Sequence, residues 1–181
     1  MDTNINIDLS KWAEFADDIA QTRLEPGVDP MIDPTRTYIA VLAGNGYQNT
    51  ALITSVLRKL FVEHGDKLVV VNQGRFQPDR TVLQICAQLG IKKRELRPAF
   101  LERRNGGIQM SREQINGEYR QLTEKWAAHC DELHVFGVQQ GPQLQWIRSF
   151  QQAGKVVLEW QNPEHGGELF AVRTEEVPAY N

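Results

Sequence analysis

Four short apolar runs and a weaker candidate strand, separated by segments of helical period, constrain this chain more than any other feature. TYIAVLA (37–43) and KLVVVN (67–72) are the first two; a less marked run lies near 94–99; ELHVFG (132–137) and KVVLEW (155–160) complete the set. Between the first two, Leu52, Ile53, Val56, Leu57, Leu60 and Phe61 recur at helical spacing before Gly65. Asp79 is placed to cap a second helix, whose inner face is Val82, Leu83, Ile85, Cys86 and Leu89. Ser111 and Gln114 have capping-box spacing ahead of Ile115, Tyr119, Leu122 and Trp126, and Pro142 opens a helix carrying Leu144, Ile147 and Phe150. Strands apolar on both faces, alternating with helices, predict an α/β fold. The expected form is a Rossmann-like, doubly wound, mainly parallel five-stranded sheet with helices on both faces. Such a sheet binds ligands beyond the carboxyl ends of its strands, where the strand order reverses.

The flanks read differently. Residues 1–36 form an N-terminal helix, 11–21 behind Ser10, and an arm broken by Pro26, Pro30 and Pro34. Residues 37–160 form the one domain that 181 residues support, and 161–181 are a polar tail with a short strand-like LFAVR. A net charge of −3 disfavours a strongly basic nucleic-acid module. No stretch approaches the length of an apolar membrane span, and MDTNINIDLSKWAEF lacks a secretory core, so the expected location is cytoplasmic. Cys86 and Cys130 read as two reduced, buried thiols. The four histidines include no HExxH, and no CxxC occurs; neither a metal nor a cofactor is expected.

Three strand-to-helix loops should meet at the carboxyl edge. They are Gly44, Asn45, Gly46, Tyr47 and Gln48; then Asn72 to Asp79, with Gln73, Gly74 and Arg75; then Gly137 to Pro142, with Gln139, Gln140 and Gly141. Glycine allows a tight turn and close approach of a ligand, and the helix that follows offers free N–H groups to an anion. The first loop is not GxGxxG, since Asn49 holds the third place, and no GxxxxGK[ST] occurs. The loop amides suit a sugar or a base edge. Arg75 is the candidate phosphate fork, and Tyr47 or Phe76 the candidate stacking surface for a base. Segment 91–104 is locally basic, with Lys92, Lys93, Arg94, Arg97, Arg103 and Arg104 against Glu95 and Glu102. Arg103 and Arg104 adjoin Gly106 and Gly107, which give that stretch a hinge able to bring them to a bound phosphate.

These loops resemble those of the SLOG superfamily, the Rossmann-like group containing the Smf/DprA and LOG proteins, and in particular its YspA-like branch. VLAGNGY matches the turn after the family's first strand. VVNQGRFQPD aligns with a GGARGAD-like pattern, Gly74 on its second glycine and Asp79 on its aspartate. FGVQQGPQLQWI aligns with a GGxGT-like turn, Gly141 on the glycine before the usual Thr. Arg120 resembles an arginine that YspA-like proteins carry before the fourth strand. Gln145 stands where LOG-type phosphoribohydrolases have a glutamate, Pro142 replaces the Thr, Gln73 replaces the first glycine, and Phe76 takes the arginine place beside Arg75.

The resemblance implies a sensor or binding module for a nucleotide or nucleotide-derived small molecule, in a homo-oligomer such as a homodimer. The phosphate would rest on backbone N–H groups around Gly44, Gly74 and Gly141. A nucleotide N-glycosidase or deoxyribosyltransferase-like enzyme, with Asp79 or Glu118 as acid or nucleophile, is the alternative. A DNA-associated module using residues 92–104 is a third reading.

Overall fold

The structure, a computed structural model, describes residues 32–98, 110–138 and 143–162 and the backbone of 171–173. The expected N-terminal helix and the first part of the arm lie outside these residues, as do Gln139, Gln140, Gly141, Arg103 and Arg104.

Strand β1 (Thr37–Ala43) leads into α1 (Thr50–His64), and a short 3-10 turn (Gly65–Lys67) precedes β2 (Leu68–Asn72). Helix α2 (Gln77–Leu89), β3 (Lys92–Glu95), α3 (Arg112–His129), β4 (Glu132–Phe136), α4 (Leu144–Gln152) and β5 (Val156–Trp160) follow. A short β6 (Ala171–Arg173) ends the described chain. The sheet order is β3-β2-β1-β4-β5-β6. The first five strands are all parallel, the Rossmann-like arrangement expected, and β6 joins β5 antiparallel. The sheet therefore has six strands, the sixth drawn from the tail.

Alternation along β1 decides the two layers. Ile39, Val41 and Ala43 point into a core with Val70, with Leu52, Ile53, Val56, Leu57 and Leu60 of α1, and with Val82, Ile85 and Cys86 of α2. Tyr38 points the other way, its ring 5.8 Å from that of Trp126 on α3. Helix α4 packs beside α3 on that second face. Local signals set the helix ends. The Asn49 side chain accepts the Leu52 N–H at the start of α1, and Ser111 and Gln114 form a reciprocal capping box on α3.

Two expectations shift. Asp79 is not an N-cap: α2 begins at Gln77 after Phe76, and Asp79 is its third residue. Pro78 makes the earlier start possible, because the first N–H groups of a helix have no intrahelical acceptor and proline forfeits nothing there. Strand β3 covers Lys92–Glu95 rather than 94–99. It is an edge strand held by backbone pairing of Val69 with Lys92 onward, and an edge tolerates exposed lysines that a central strand would not.

On the α1 face, the β4–β5 pair encloses a polar relay. Trp160 Nε1–H donates to Nδ1 of His134 (2.7 Å), which fixes the neutral Nε2–H tautomer facing Glu132 Oε1 (2.7 Å). The His134 and Trp160 rings stack at 5.8 Å. The hydrogen bond to His134 is the main influence holding the Glu132 carboxyl below the ordinary carboxylate range. Trp160→Phe should cost about 1–3 kcal/mol in urea unfolding, because it leaves a buried ring nitrogen without its donor; an unchanged midpoint would refute the relay. Cys86 and Cys130 are both buried and free, and burial pushes each thiol up to about 12. Neither should react with an aromatic disulfide reagent at about pH 8 until urea unfolds the chain.

Candidate functional site

A single carboxylate ties the carboxyl edge together. Asp79 is 0% exposed. Its Oδ1 accepts the Ala43 backbone N–H (3.2 Å) and Asn72 Nδ2 (3.3 Å), and its Oδ2 faces Gln143 Nε2 (3.5 Å). Both amide partners are themselves anchored. Asn72 Nδ2 also donates to the Val41 carbonyl (2.6 Å), and its oxygen accepts the Gly74 N–H (2.6 Å). Gln143 Nε2 donates to the Ala43 carbonyl (2.6 Å), and its oxygen accepts the Asn45 N–H (3.2 Å). The end of β1, the end of β2, the first turn of α2 and the residue before α4 thus meet at one point. Burial pushes the Asp79 carboxyl up to about 6, although hydrogen bonds from Ala43, Asn72, Gln143 and Phe76 pull it down.

This arrangement corrects the expected phosphate cradle. The Gly44 N–H donates to the Phe136 carbonyl (2.7 Å), the Tyr47 N–H to the Gly44 carbonyl (3.0 Å), and the Asn45 and Gly74 amides serve the Asp79 cluster. Four loop N–H groups are therefore consumed within the fold. The loops after β1 and β4 also touch directly. A Cβ on Gly44 would strike the Gly137 carbonyl, and one on Gly137, at φ +60°, would lie 2.6 Å from the Tyr47 ring. Tyr47 covers Gly137 and donates its hydroxyl to Asn162 Oδ1 (3.1 Å), which also receives Asn49 Nδ2 (2.9 Å). Burial raises the Tyr47 phenol above its ordinary value. Gly46, exposed at the tip of this loop, keeps clear of these contacts.

The loop after β2 is strapped to α3. Gln73, expected on a ligand, is buried and donates to Thr123 Oγ1 (3.0 Å). Arg75 Nη2 donates to Asn116 Oδ1 (2.9 Å), and its guanidinium lies 4.3 Å from the Tyr119 ring centre and 5.3 Å from that of Phe76. Asn116, Tyr119 and Thr123 share one face of α3 by their i, i+3, i+7 spacing. Nearby, Arg80 Nε donates to the Gly74 carbonyl (3.1 Å) and Arg97 pairs with Glu95 (3.0 Å). Burial lowers the Arg75 pKa and Arg112 lowers it further, while Tyr119 opposes both. Burial raises the Tyr119 phenol; the cations Arg75, Arg97 and Arg80 oppose that and Glu95 adds to it.

The remaining candidates do not join this group. Glu118 falls off the Asn116–Tyr119–Thr123 face by helical spacing. Arg120 is exposed and lies 4.0 Å from Glu124 along the same helix. Gln145 donates to Ser149 Oγ (3.2 Å) along α4. Asp79, fully enclosed, has no surface to offer a substrate as acid or nucleophile. Sequence reading missed Gln143, Asn116, Arg80, Arg112 and Asn162. Tyr119 read as part of an apolar stripe, and only the i, i+3, i+7 recurrence of Asn116, Tyr119 and Thr123 could have signalled a polar strap. The indole N–H of Trp146 is buried without a hydrogen-bond partner among the described residues. Among the described residues no cluster of His, Cys, Asp or Glu could hold a metal, and no helix is long and apolar enough to cross a membrane.

The Asp79 knot has a pH signature. Its folded pKa, about 6, lies above the ordinary 3.8, so the folded state holds the proton more tightly than the unfolded chain. The stability this brings is complete below about pH 4 and lost as pH rises to about 6, a fall of about 3 kcal/mol. Asp79→Asn cannot ionise, so its stability relative to the parent should rise by that amount between about pH 4 and pH 7. Urea unfolding across this range measures it, and parallel profiles would refute the buried carboxylate.

No protein-family model matches the chain, and no curated protein matches it significantly. Among solved structures it is similar to glycinamide ribonucleotide transformylase 1 from Symbiobacterium toebii, with a TM-score of 0.35 and 18% identity. That match covers 75% of this chain and 56% of the other.

Proposed function

We propose that the chain binds a nucleotide or nucleotide-derived small molecule at the carboxyl edge of its sheet, as a binding module or sensor. One observation carries the reading: the loops after β1 and β2 and the entry to α4 converge on Asp79 where the strand order reverses, between β1 and β4. In open α/β sheets that reversal is where ligands bind. The likeness to YspA-like SLOG proteins, and a homodimer with it, belong to the same proposal. Enzymatic N-glycoside cleavage is the poorer fit, because Asp79 is enclosed and Gln145 cannot ionise.

A DNA-associated role has one observation in its favour. Lys92 and Lys93 are exposed on the β3 edge, next to Arg94 and Arg97. Salt-sensitive retention of single-stranded DNA, weakened in Lys92→Ala/Lys93→Ala, would favour that role over the first.

The first reading is tested by thermal unfolding against a panel of nucleosides, nucleotides and dinucleotides at millimolar concentration, with native mass spectrometry of the purified chain. A ligand present at a hundred times its Kd adds about 2.7 kcal/mol of stability, which a melting curve resolves as several degrees. At least one member of the panel should stabilise the chain or be carried through purification. A panel without effect, and a bare mass, would overturn the reading.

A further inference from the structure

We infer that the ligand is a phosphate ester, and that its phosphate is held by the side chains of Arg75 and Arg112 at the β2–α3 side of the sheet edge rather than by glycine amides. The inference rests on the nucleotide reading above and gives that reading its recognition chemistry.

Two of the amides that would have served a phosphate, those of Gly44 and Gly74, are already committed. Gly44 and Gly74 donate to the Phe136 carbonyl and to Asn72, so an anion at either would have to break a short internal hydrogen bond. The side chains around Tyr119 are in the opposite condition. Arg75 is half-buried, its guanidinium carbon 4.3 Å from the centre of the Tyr119 ring. A cation–π contact of this kind does not require a hydrogen bond, so the guanidinium keeps N–H groups for another partner. Among the described residues the one side-chain hydrogen bond of Arg75 is to the neutral Asn116 oxygen, and no carboxylate pairs with it. Arg112, exposed at the start of α3, is near enough to repel it. Arg80 is fixed on the Gly74 carbonyl, and Glu95, the nearby acid, is engaged by Arg97.

A half-buried guanidinium without a counter-charge among the described residues, with the positive charge of Arg112 acting on it as well, is a receptor for a dianion. A phosphate monoester fits that need: a planar guanidinium matches two of its oxygens, and its charge offsets both arginines. Asn116 steadies Arg75 through its hydrogen bond to Nη2.

The test is calorimetric titration with adenosine, adenosine 5′-monophosphate, the corresponding guanosine pair, inorganic phosphate and single-stranded DNA. The parent chain is compared with Arg75→Gln, Arg75→Lys and Arg112→Gln. Each monophosphate that binds should do so at least tenfold more tightly than its nucleoside. Arg112→Gln, a change at an exposed side chain, should remove most of that preference. Arg75→Gln should abolish it, and Arg75→Lys, which keeps the charge but not the fork, should fall between. Nucleosides and monophosphates that bind alike, or variants that bind monophosphates as the parent does, would overturn the phosphate assignment and leave the nucleotide reading standing. Inorganic phosphate that binds and is lost in both neutral variants, without binding of any nucleoside or nucleotide, would support the anion receptor and overturn the nucleotide reading. Binding of DNA alone would overturn the small-ligand assignment, and binding of nothing would overturn both.

Discussion

Ionising Asp79 in its enclosed position puts a charge where water does not reach, and the fold answers with donors drawn from three directions. The Ala43 amide, Asn72 and Gln143 converge on it, and each belongs to a different stretch of chain. Burial still outweighs them, which is why the carboxyl titrates near 6 rather than below its ordinary value. Such a group is costly wherever any donor is missing. It therefore specifies the relative placement of β1, β2, α2 and the entry to α4 more sharply than apolar contacts alone would. The apolar layers on either side of the sheet fix how far the helices stand off; the carboxylate fixes how the loops end.

That same economy decides where an anion can go. A glycine-bearing turn at a helix start offers N–H groups to a phosphate only while those groups lack internal partners. Here the turn after β1 continues the ladder to β4 through the Gly44 N–H, and the turn after β2 closes on Asn72 through the Gly74 N–H. The loops after β1 and β4 are in contact, with Tyr47 laid over Gly137. Positive charge that remains available is carried by side chains on the β2 and β3 side, where Arg75 meets α3.

The layers of the fold were legible because they are written in periodicity. Leu52, Ile53, Val56, Leu57 and Leu60 mark the inner face of α1, and the alternation of Tyr38 with Ile39 marks two sides of β1. The ends were legible where a cap is local, as with Ser111 and Gln114. Asp79 shows where that legibility stops. Read in isolation, an aspartate ahead of an apolar helical run is an N-cap; two residues further into the helix it faces inward, and its partner Gln143 lies 64 positions away. No local pattern carries that pairing. Likewise, a glycine after a strand announces a turn, but whether its N–H is free depends on Phe136 or Asn72, which only the folded chain brings to it. Tyr119 sat in an apolar stripe and turned out to be the platform for Arg75, because an amphipathic ring serves a core and a cation with equal ease.

The groups along the carboxyl edge differ from one side of the sheet to the other, and the difference bears on access. Glu132, His134 and Trp160 satisfy one another in a line that runs from the start of β4 to the end of β5. At the carboxyl end, the β1–β4 junction is closed by backbone contact and by Asp79 beneath it. Neutral amides and tyrosine hold the loops near β4 and β5, as in the Asn162 bridge. Towards β3 the groups change character: Arg75, Arg80 and Arg97 gather around Tyr119 and Glu95. In a chain whose net charge is −3, an anion approaching this edge is drawn to that side. A ligand lying across the reversal of strand order would then have its charged end over α3 and its neutral end over β1 and β4, an orientation set by charge before any specific contact forms.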